Sequence, residues 1–258
     1  MSKLSVLVIT LNEEKRLPAC LESVRFADQI VVVDSGSQDR TLELARGFTD
    51  QVFHQDWLGM NGQKTFALTK ATGDWILNLD ADEAATPELQ AEVKAIVSQP
   101  EVKEAGFTIP RLTFYQGRWI RHSGWYPDRK LRLFRRGAGR WAGEDPHDQV
   151  KVDGPVGELQ GELLHYTYED LAHQVSALSQ YAWAAAKAKQ EAGERFRLHR
   201  LLLHPPGAFL RTWLLQQGFR DGRPGLLIAG MNALYTFLKY ARLGELERSR
   251  RPGRSDPV

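Results

Sequence analysis

Cysteine is almost missing from this 258-residue chain. Cys20 stands alone, so no internal disulfide staples the fold, and a reducing compartment is the consistent setting. Leu17, Cys20, Leu21 and Val24 fall at helical spacing, which makes Cys20 a buried packing residue rather than a reactive thiol. No uninterrupted apolar run reaches the roughly 20 residues that a transmembrane helix needs. The most apolar stretch, residues 225–238, is broken by Asn232 and Thr236. A secretory signal is also missing: the start runs directly into a short β-branched stretch without a small-residue cleavage site, so a cytoplasmic location is expected. There is neither a G-x-G-x-x-G fingerprint nor a P-loop lysine, which removes the usual support for a dinucleotide cofactor or for ATP hydrolysis. No internal repeat is present.

What the chain does contain describes a globular protein. Hydrophobic residues make up 42% and aromatics 10%, an apolar share that disordered chains lack. The length suits one substantial core with a C-terminal elaboration. The formal net charge is only +2, yet residues 195–258 carry twelve Lys/Arg against four Asp/Glu, which is +8 and leaves −6 for the rest. Such asymmetry points to an anionic partner at the C-terminal end.

Over the first hundred residues, short apolar runs alternate with helical patterns, as βαβ units around a mainly parallel sheet do. The pattern predicts strands at 4–10, 29–34, 51–54 and 75–80, and helices at 13–24, 39–48 and 62–71. A further helix should start at Thr86, a capping residue followed by Pro87 at the first helical position. From residue 105 onward, strands at 106–115, 129–135 and 163–168 should extend the sheet in antiparallel fashion. Residues 170–192 then read as a long Ala-rich helix. The expected organisation is an α/β domain over 1–168, a helical C-terminal region over 169–247 and a disordered tail over 248–258. Arg211, Arg220, Arg223, Lys239 and Arg242 surround Trp213, Phe219 and Phe237, a mixture suited to helices lying on an anionic membrane surface.

The chemistry centres on the run Trp75 to Glu83, a buried strand that ends in Asp80, Asp82 and Glu83. Ligands of open α/β sheets gather beyond the carboxyl ends of strands. Several carboxylates together there call for a cation, and hard oxygen ligands suit Mg²⁺ or Mn²⁺ completed by substrate phosphates. At the first strand's exit, Thr10 to Glu14 place polar groups at the same edge. After the second strand, Asp34 and Ser35 are candidates to hydrogen-bond a base or ribose, while Ser37 or Asp39 caps the next helix.

Three motifs occur in order: T-L-N-E-E at 10–14, V-V-D-S-G-S-Q-D-R-T at 32–41 and G-D-W-I-L-N-L-D-A-D-E at 73–83. Together they resemble the family 2 glycosyltransferases, inverting enzymes of the GT-A fold. Within that family the chain is most similar to bacterial lipopolysaccharide core β-1,4-glucosyltransferases that act on heptose. W-A-G-E-D-P-H-D at 141–148, S-Q-Y-A at 179–182 and the turn Phe219 to Gly225 support that subgroup. The resemblance implies a GT-A-like, Rossmann-like mixed sheet flanked by helices. It implies that Thr10, Asn12, Glu13, Asp34 and Ser35 frame the uridine of a UDP-sugar donor, that Lys64 presents a basic group to the nucleotide, and that Asp80 and Asp82 bracket metal and diphosphate.

An inverting transfer needs one base to take the acceptor hydroxyl's proton. Candidates lie in the titratable run Glu144 to Asp148. The subgroup shows His-Glu where this chain has His147-Asp148, which favours Asp148, followed by Glu144 or Asp145. His147 is a candidate for holding the metal or the diphosphate, or for a structural hydrogen bond. Arg129, Lys130, Arg132, Arg135 and Arg136 alternate around apolar residues, and the resulting basic strand face should draw a phosphate-bearing acceptor, here a lipid-anchored saccharide. Trp119, Trp125, Tyr126 and Trp141 suit either sugar stacking or packing. No nucleic-acid-binding motif accompanies the basic residues, so nucleic acid is not an expected partner. Rival readings are transfer to a polyprenyl phosphate, nucleotidyl transfer, or a non-catalytic scaffold of the same fold.

Overall fold

The structure, a computed structural model, describes residues 2–143, 149–168 and 170–249. The chain forms two units, one of residues 1–113 and 127–166, the other of residues 114–126 and 167–258. The segment 114–126 therefore groups with the C-terminal helices.

In the first unit, β1 (Leu4–Thr10), β2 (Gln29–Asp34) and β4 (Trp75–Asp80) are buried almost throughout. Continuous apolar runs of this kind belong to parallel strands covered on both faces. β1 lies between β2 and β4, parallel to both, and β3 (Val52–His54) extends the sheet beyond β2. The other half is mixed. β8 (Asp128–Arg135) runs antiparallel to β4 and to β6 (Gly106–Tyr115), and β12 (Leu163–Tyr166) runs antiparallel to β5 (Glu83–Ala85). The path of the sheet is β3-β2-β1-β4-β8-β6-β12-β5. Strand order reverses at β1, so the carboxyl ends of β1, β2 and β4 open onto the crevice where such sheets bind ligands.

Strand alternation divides the core into two layers. Leu4, Val6 and Val8 pack with α1 (Leu17–Ser23) and α4 (Pro87–Ser98), whereas Leu7 and Ile9 pack with Ala67 of α3 (Gly59–Thr69), Ile76 and Phe134. Cys20 is buried in the first layer, and burial followed by the nearby carboxylates pushes its thiol pKa up. The expected cap is present: Thr86 Oγ1 accepts from Leu89 N at 3.3 Å, with Pro87 opening α4.

Two helices start later than the sequence pattern suggests. α1 begins at Leu17 rather than at residue 13, and α2 (Thr41–Arg46) at 41 rather than 39. The loops that precede the two helices bond to each other: Glu13 N donates to Thr41 Oγ1 at 2.8 Å, Glu14 N to Asp39 Oδ2 at 3.2 Å and Arg40 N to Glu14 Oε2 at 3.1 Å. The first N–H groups of a helix have no intrahelical acceptor, so these cross-loop bonds satisfy them and tie the two loops together.

β9 (Gly139–Ala142) and β10 (Gln149–Val152), not anticipated from the pattern, pair antiparallel with Ala142 opposite Gln149. They flank residues 144–148, which lie outside the described residues.

The second unit contains β7 (Arg118–Ile120), α5 (Leu171–Glu191), α6 (Leu198–Leu210) and α7 (Arg223–Ser249), with a π-helical turn Arg211–Leu215 and a 3₁₀ turn Gly218–Asp221 between the last two helices. α7 thus includes Arg248 and Ser249, the first two residues of the expected tail; the rest of that tail lies outside the described residues. Among the described residues, no helix is long and apolar enough to cross a membrane. The turn Phe219 to Gly225 has a structural role here. Buried Asp221 accepts from His122 N at 3.1 Å and from Ser123 Oγ at 2.7 Å. A Cβ at Gly225 would lie 1.9 Å from the carbonyl oxygen of Gly218, so only glycine fits.

Candidate active site at the end of the central strand

The carboxylates at the end of β4 have different surroundings. Asp80 is clamped by two cations: its Oδ2 lies 2.6 Å from a guanidinium nitrogen of Arg132, and its Oδ1 lies 3.0 Å from Lys64 Nζ. The same Arg132 nitrogen reaches Glu83 Oε1 at 2.7 Å, while Glu83 Oε2 accepts from Asp80 N at 3.0 Å. Arg111 continues the chain of charges, 3.4 Å from Glu83 and 2.6 Å from Asp128. Burial alone would raise the Asp80 pKa; Arg132 and Lys64 more than reverse this and hold the carboxyl well below the usual range. Lys64 is only 2% exposed, which rules out a solvated helix lysine and ties α3 to the end of β4.

Asp82 stands apart from this network. Its Oδ2 lies 3.3 Å from His165 Nε2, and His165 Nδ1 lies 3.3 Å from Thr113 Oγ1. The Thr113 contact orients the ring, as outer-shell partners do for metal-binding histidines. His165 was not singled out from the sequence. The available signal was a lone histidine in the otherwise apolar run Leu163-Leu164-His165-Tyr166, and only the β12–β5 pairing brings it beside Asp82.

The residues expected to frame the nucleotide are brought to one edge. Asn12 adopts a left-handed backbone, φ 54°. It links the two loops, with Oδ1 accepting from Gln38 N and N donating to Ser37 Oγ, both at 2.8 Å. Asp34 is fully buried and orders its own turn: Oδ2 accepts from Gly36 N at 2.8 Å and Ser37 N at 2.9 Å, and Oδ1 accepts from Ser37 Oγ. Gly36, with φ 103°, takes a conformation that the turn needs and that a side chain disfavours. Ser35 Oγ accepts from Gln63 Nε2 at 2.5 Å. Asp39 holds Thr41 N at 2.9 Å, and Ser37 serves the Asp34 turn instead of capping α2.

Several buried polar atoms here lack partners among the described residues: Thr10 Oγ1, Gln63 Oε1 and both amide atoms of Asn78. Such atoms suit a site that receives a polar ligand. For a divalent metal, Asp82 Oδ and His165 Nε2 supply one oxygen and one nitrogen donor side by side. No group of three or more His, Cys, Asp or Glu side chains converges among the described residues. A metal would therefore take only part of its shell from these residues and the rest from diphosphate and water, the usual arrangement for Mg²⁺.

The structure does not form the basic strand face expected around β8. Arg132 points inward to Asp80 and Glu83; Arg129 donates to Leu159 O at 3.0 Å, Arg135 to Val102 O at 2.6 Å and Arg136 to Gly73 O at 2.8 Å. Lys130 pairs with Asp128 at 3.1 Å. Half-buried guanidinium groups need such partners, so these cations brace the sheet instead of presenting an anion-binding strip. The candidate aromatics likewise pack on protein groups: Trp125 on Tyr115, Trp119 on Phe114, Trp141 on Phe134, and Tyr126 beneath Arg121.

The expected base candidates Glu144, Asp145 and Asp148, and the metal candidate His147, lie outside the described residues. Their flanks do not. Asn61 Nδ2 donates to Gly143 O at 2.7 Å, one turn of α3 before Lys64. The helix that reaches Asp80 thus also anchors the β9–β10 hairpin.

The family model described as glycosyl transferase family 2 matches residues 5–148. The chain is 32% identical to the lipopolysaccharide core biosynthesis glycosyltransferase LpsC of Rhizobium meliloti, over 93% of this chain and 91% of that protein. It is 31% identical to an uncharacterised glycosyltransferase of Rickettsia typhi, over 95% and 88%. Among solved structures, the mannosyltransferase PcManGT of Pyrobaculum calidifontis, in complex with GDP-Man and Mn²⁺, superposes with a TM-score of 0.55 at 14% identity, covering 94% of this chain and 87% of that one. TarS 1–349 of S. aureus, in complex with UDP-GlcNAc, gives 0.51 at 17% identity, covering 99% and 94%. The likeness to these two establishes the fold, the mixed sheet flanked by helices that the motifs implied.

Proposed function

From the premise that the chain belongs to glycosyl transferase family 2 and is a glycosyltransferase, we propose that it is an inverting, metal-dependent hexosyltransferase moving glucose from UDP-glucose onto a heptose of the lipopolysaccharide inner core. The acceptor is lipid-anchored, and the enzyme works at the inner face of the cytoplasmic membrane. The observation that carries the reading is the division of labour after β4: Asp80 locked between Lys64 and Arg132, and Asp82 paired with His165. The name of the Rhizobium relative supports the lipopolysaccharide core as the destination.

Lys64 and Arg132 keep Asp80 ionised and in one orientation, so the strand end meets the nucleotide already organised. Thr10, Asn12, Glu13, Asp34 and Ser35 form the edge that receives the uridine. Asp82 and His165 are the side chains that would hold Mg²⁺ or Mn²⁺; when bound, the metal supplies Lewis-acid stabilisation of the diphosphate leaving group. Asp148, with Glu144 and Asp145 as alternatives, removes the proton from the heptose hydroxyl as its oxygen attacks the anomeric carbon. The bond to UDP breaks on the opposite face, so an α-linked donor yields a β-linked product.

Purified protein incubated with UDP-glucose, Mg²⁺ or Mn²⁺ and truncated lipopolysaccharide should release UDP and add glucose to the acceptor. Removing the base in Asp148→Ala should slow transfer by about 10²–10⁴-fold, and Asp82→Ala should abolish transfer at every Mg²⁺ or Mn²⁺ concentration. Binding of UDP-glucose without transfer would reject this acceptor; absence of nucleotide-sugar binding would overturn the reading altogether.

A further inference from the structure

Helix α6 has none of its 13 residues buried. Leu198, Leu202, Leu210 and, in the following π-helical turn, Leu214 lie on a four-residue spacing and are 61%, 60%, 52% and 54% exposed, and Leu215 is 80% exposed. Four-residue spacing collects side chains on one face. A leucine stripe this open is not the outer face of an ordinary solvated helix, whose exposed side is polar.

Leu203, itself exposed and seven residues before Leu210, so within about 20° of it around the helix, lines with Gly207 and Arg211 a cleft of about 570 Å³ between α6 and α7. Asn232, Thr236 and Lys239 line it from α7, and no carboxylate is among the lining residues. The Lys239 ammonium sits 5.0 Å and 5.3 Å from the ring centroids of Tyr235 and Tyr240. Burial, then Lys189, lowers its pKa, against an opposing pull from Glu194. Two cations thus line a cleft bordered by exposed leucines, within the segment that carries the +8 charge.

We propose that this cleft seats the phosphate of an anionic phospholipid between Arg211 and Lys239, while the leucine stripe of α6 enters the acyl boundary of the bilayer. The proposal rests on the reading above that the enzyme works at a membrane surface, and gives that surface a specific binding seat. Charge complementarity selects this occupant: a second copy of the chain would bring cations against cations, whereas an anionic leaflet offers phosphate and hydrocarbon at adjacent depths.

The test is flotation of the full chain with phosphatidylcholine vesicles, with or without phosphatidylglycerol, and without any sugar acceptor. The intact protein should float with the anionic vesicles. R211Q and K239Q should each weaken that binding about fivefold, and together about twenty-fivefold; Leu210→Ser with Leu214→Ser should abolish it. UDP-glucose affinity, measured on the same samples, verifies that each variant folds and reports on the catalytic reading independently of the vesicles. Equal flotation with neutral vesicles, or indifference to R211Q and K239Q, would overturn the seat. Loss of anionic selectivity in millimolar glycerol phosphate would assign the cleft to a soluble phosphate instead. A concentration-dependent dimer that dissociates on the leucine changes, with no flotation, would assign the stripe to a second copy.

Discussion

Asp80, Asp82 and Glu83 lie within four positions of one another, and what separates their roles is the cations near each. The D-A-D-E run marked the place, but sequence alone read Arg132 as one member of a basic strand face and Lys64 as a basic group for the nucleotide, not as partners of Asp80. Both turn out to be buried against Asp80, because β8 lies beside β4 and α3 covers that face of the sheet. Breaking a buried pair leaves an uncompensated charge, so Arg132→Met should cost about 3–5 kcal/mol and lower Tm by about 10 °C in a thermal melt. The depressed pKa of Asp80 also sets a pH signature. A carboxyl whose folded pKa lies below its unfolded value of about 3.9 gives its full stabilisation above that pH and loses it as pH falls through the folded value. Urea midpoints should therefore show no Asp80 contribution to pH dependence between about pH 7 and 5. Below about pH 4, the wild type should lose stability more steeply than Asp80→Asn. Equal slopes would mean that Asp80 is not clamped as the geometry shows.

At the scale of elements, the strands were legible because a buried parallel strand leaves an unmistakable apolar run; β1, β2 and β4 fall where the pattern placed them. Helix starts were less legible. Residues 13–16 and 39–40 have helical composition, but Glu13, Glu14 and Arg40 bond to the opposing loop through their N–H groups, a long-range pairing that periodicity does not register. The hairpin β9–β10 was unreadable for a related reason: its short strands gain stability mainly by packing on α3 and Phe134. Asn61 ties this hairpin to α3, so Asn61→Ala should loosen the segment that carries the proposed base without disturbing the nucleotide edge. One lost hydrogen bond of about 1 kcal/mol corresponds to a fall of about fivefold in kcat, with the UDP-glucose Kd unchanged. A change in Kd of the same size would show that the hairpin acts through nucleotide binding.

For the whole molecule, the informative quantity is the distribution of charge rather than its sum of +2. Exposed cations attract an anionic surface through a field that added salt screens, with a screening length of about 10 Å at 0.1 M and about 3 Å at 1 M. Vesicle binding should therefore weaken progressively as NaCl rises, while UDP-glucose affinity, set by buried and short-range contacts, changes far less. Salt-insensitive vesicle binding would leave only the leucine stripe as the driving force and remove the role given to the basic C-terminal region.

Fold class, the polar loops after β1 and β2, the D-A-D-E terminus and, among the described residues, the absence of a spanning helix were all legible in local pattern, because strand burial, turn chemistry and apolar run length are properties of neighbouring residues. Tertiary structure alone decided the rest. It brought His165 to Asp82 across 83 positions of sequence, turned Arg132 inward, and spent the other cations of β8 on backbone carbonyls and Asp128. It also set Asp221, in the turn from Phe219 to Gly225, against His122 and Ser123. Each of these outcomes depends on a pairing between distant strands or helices. A buried charge takes the partner that the fold sets beside it, whatever its neighbours in sequence suggest.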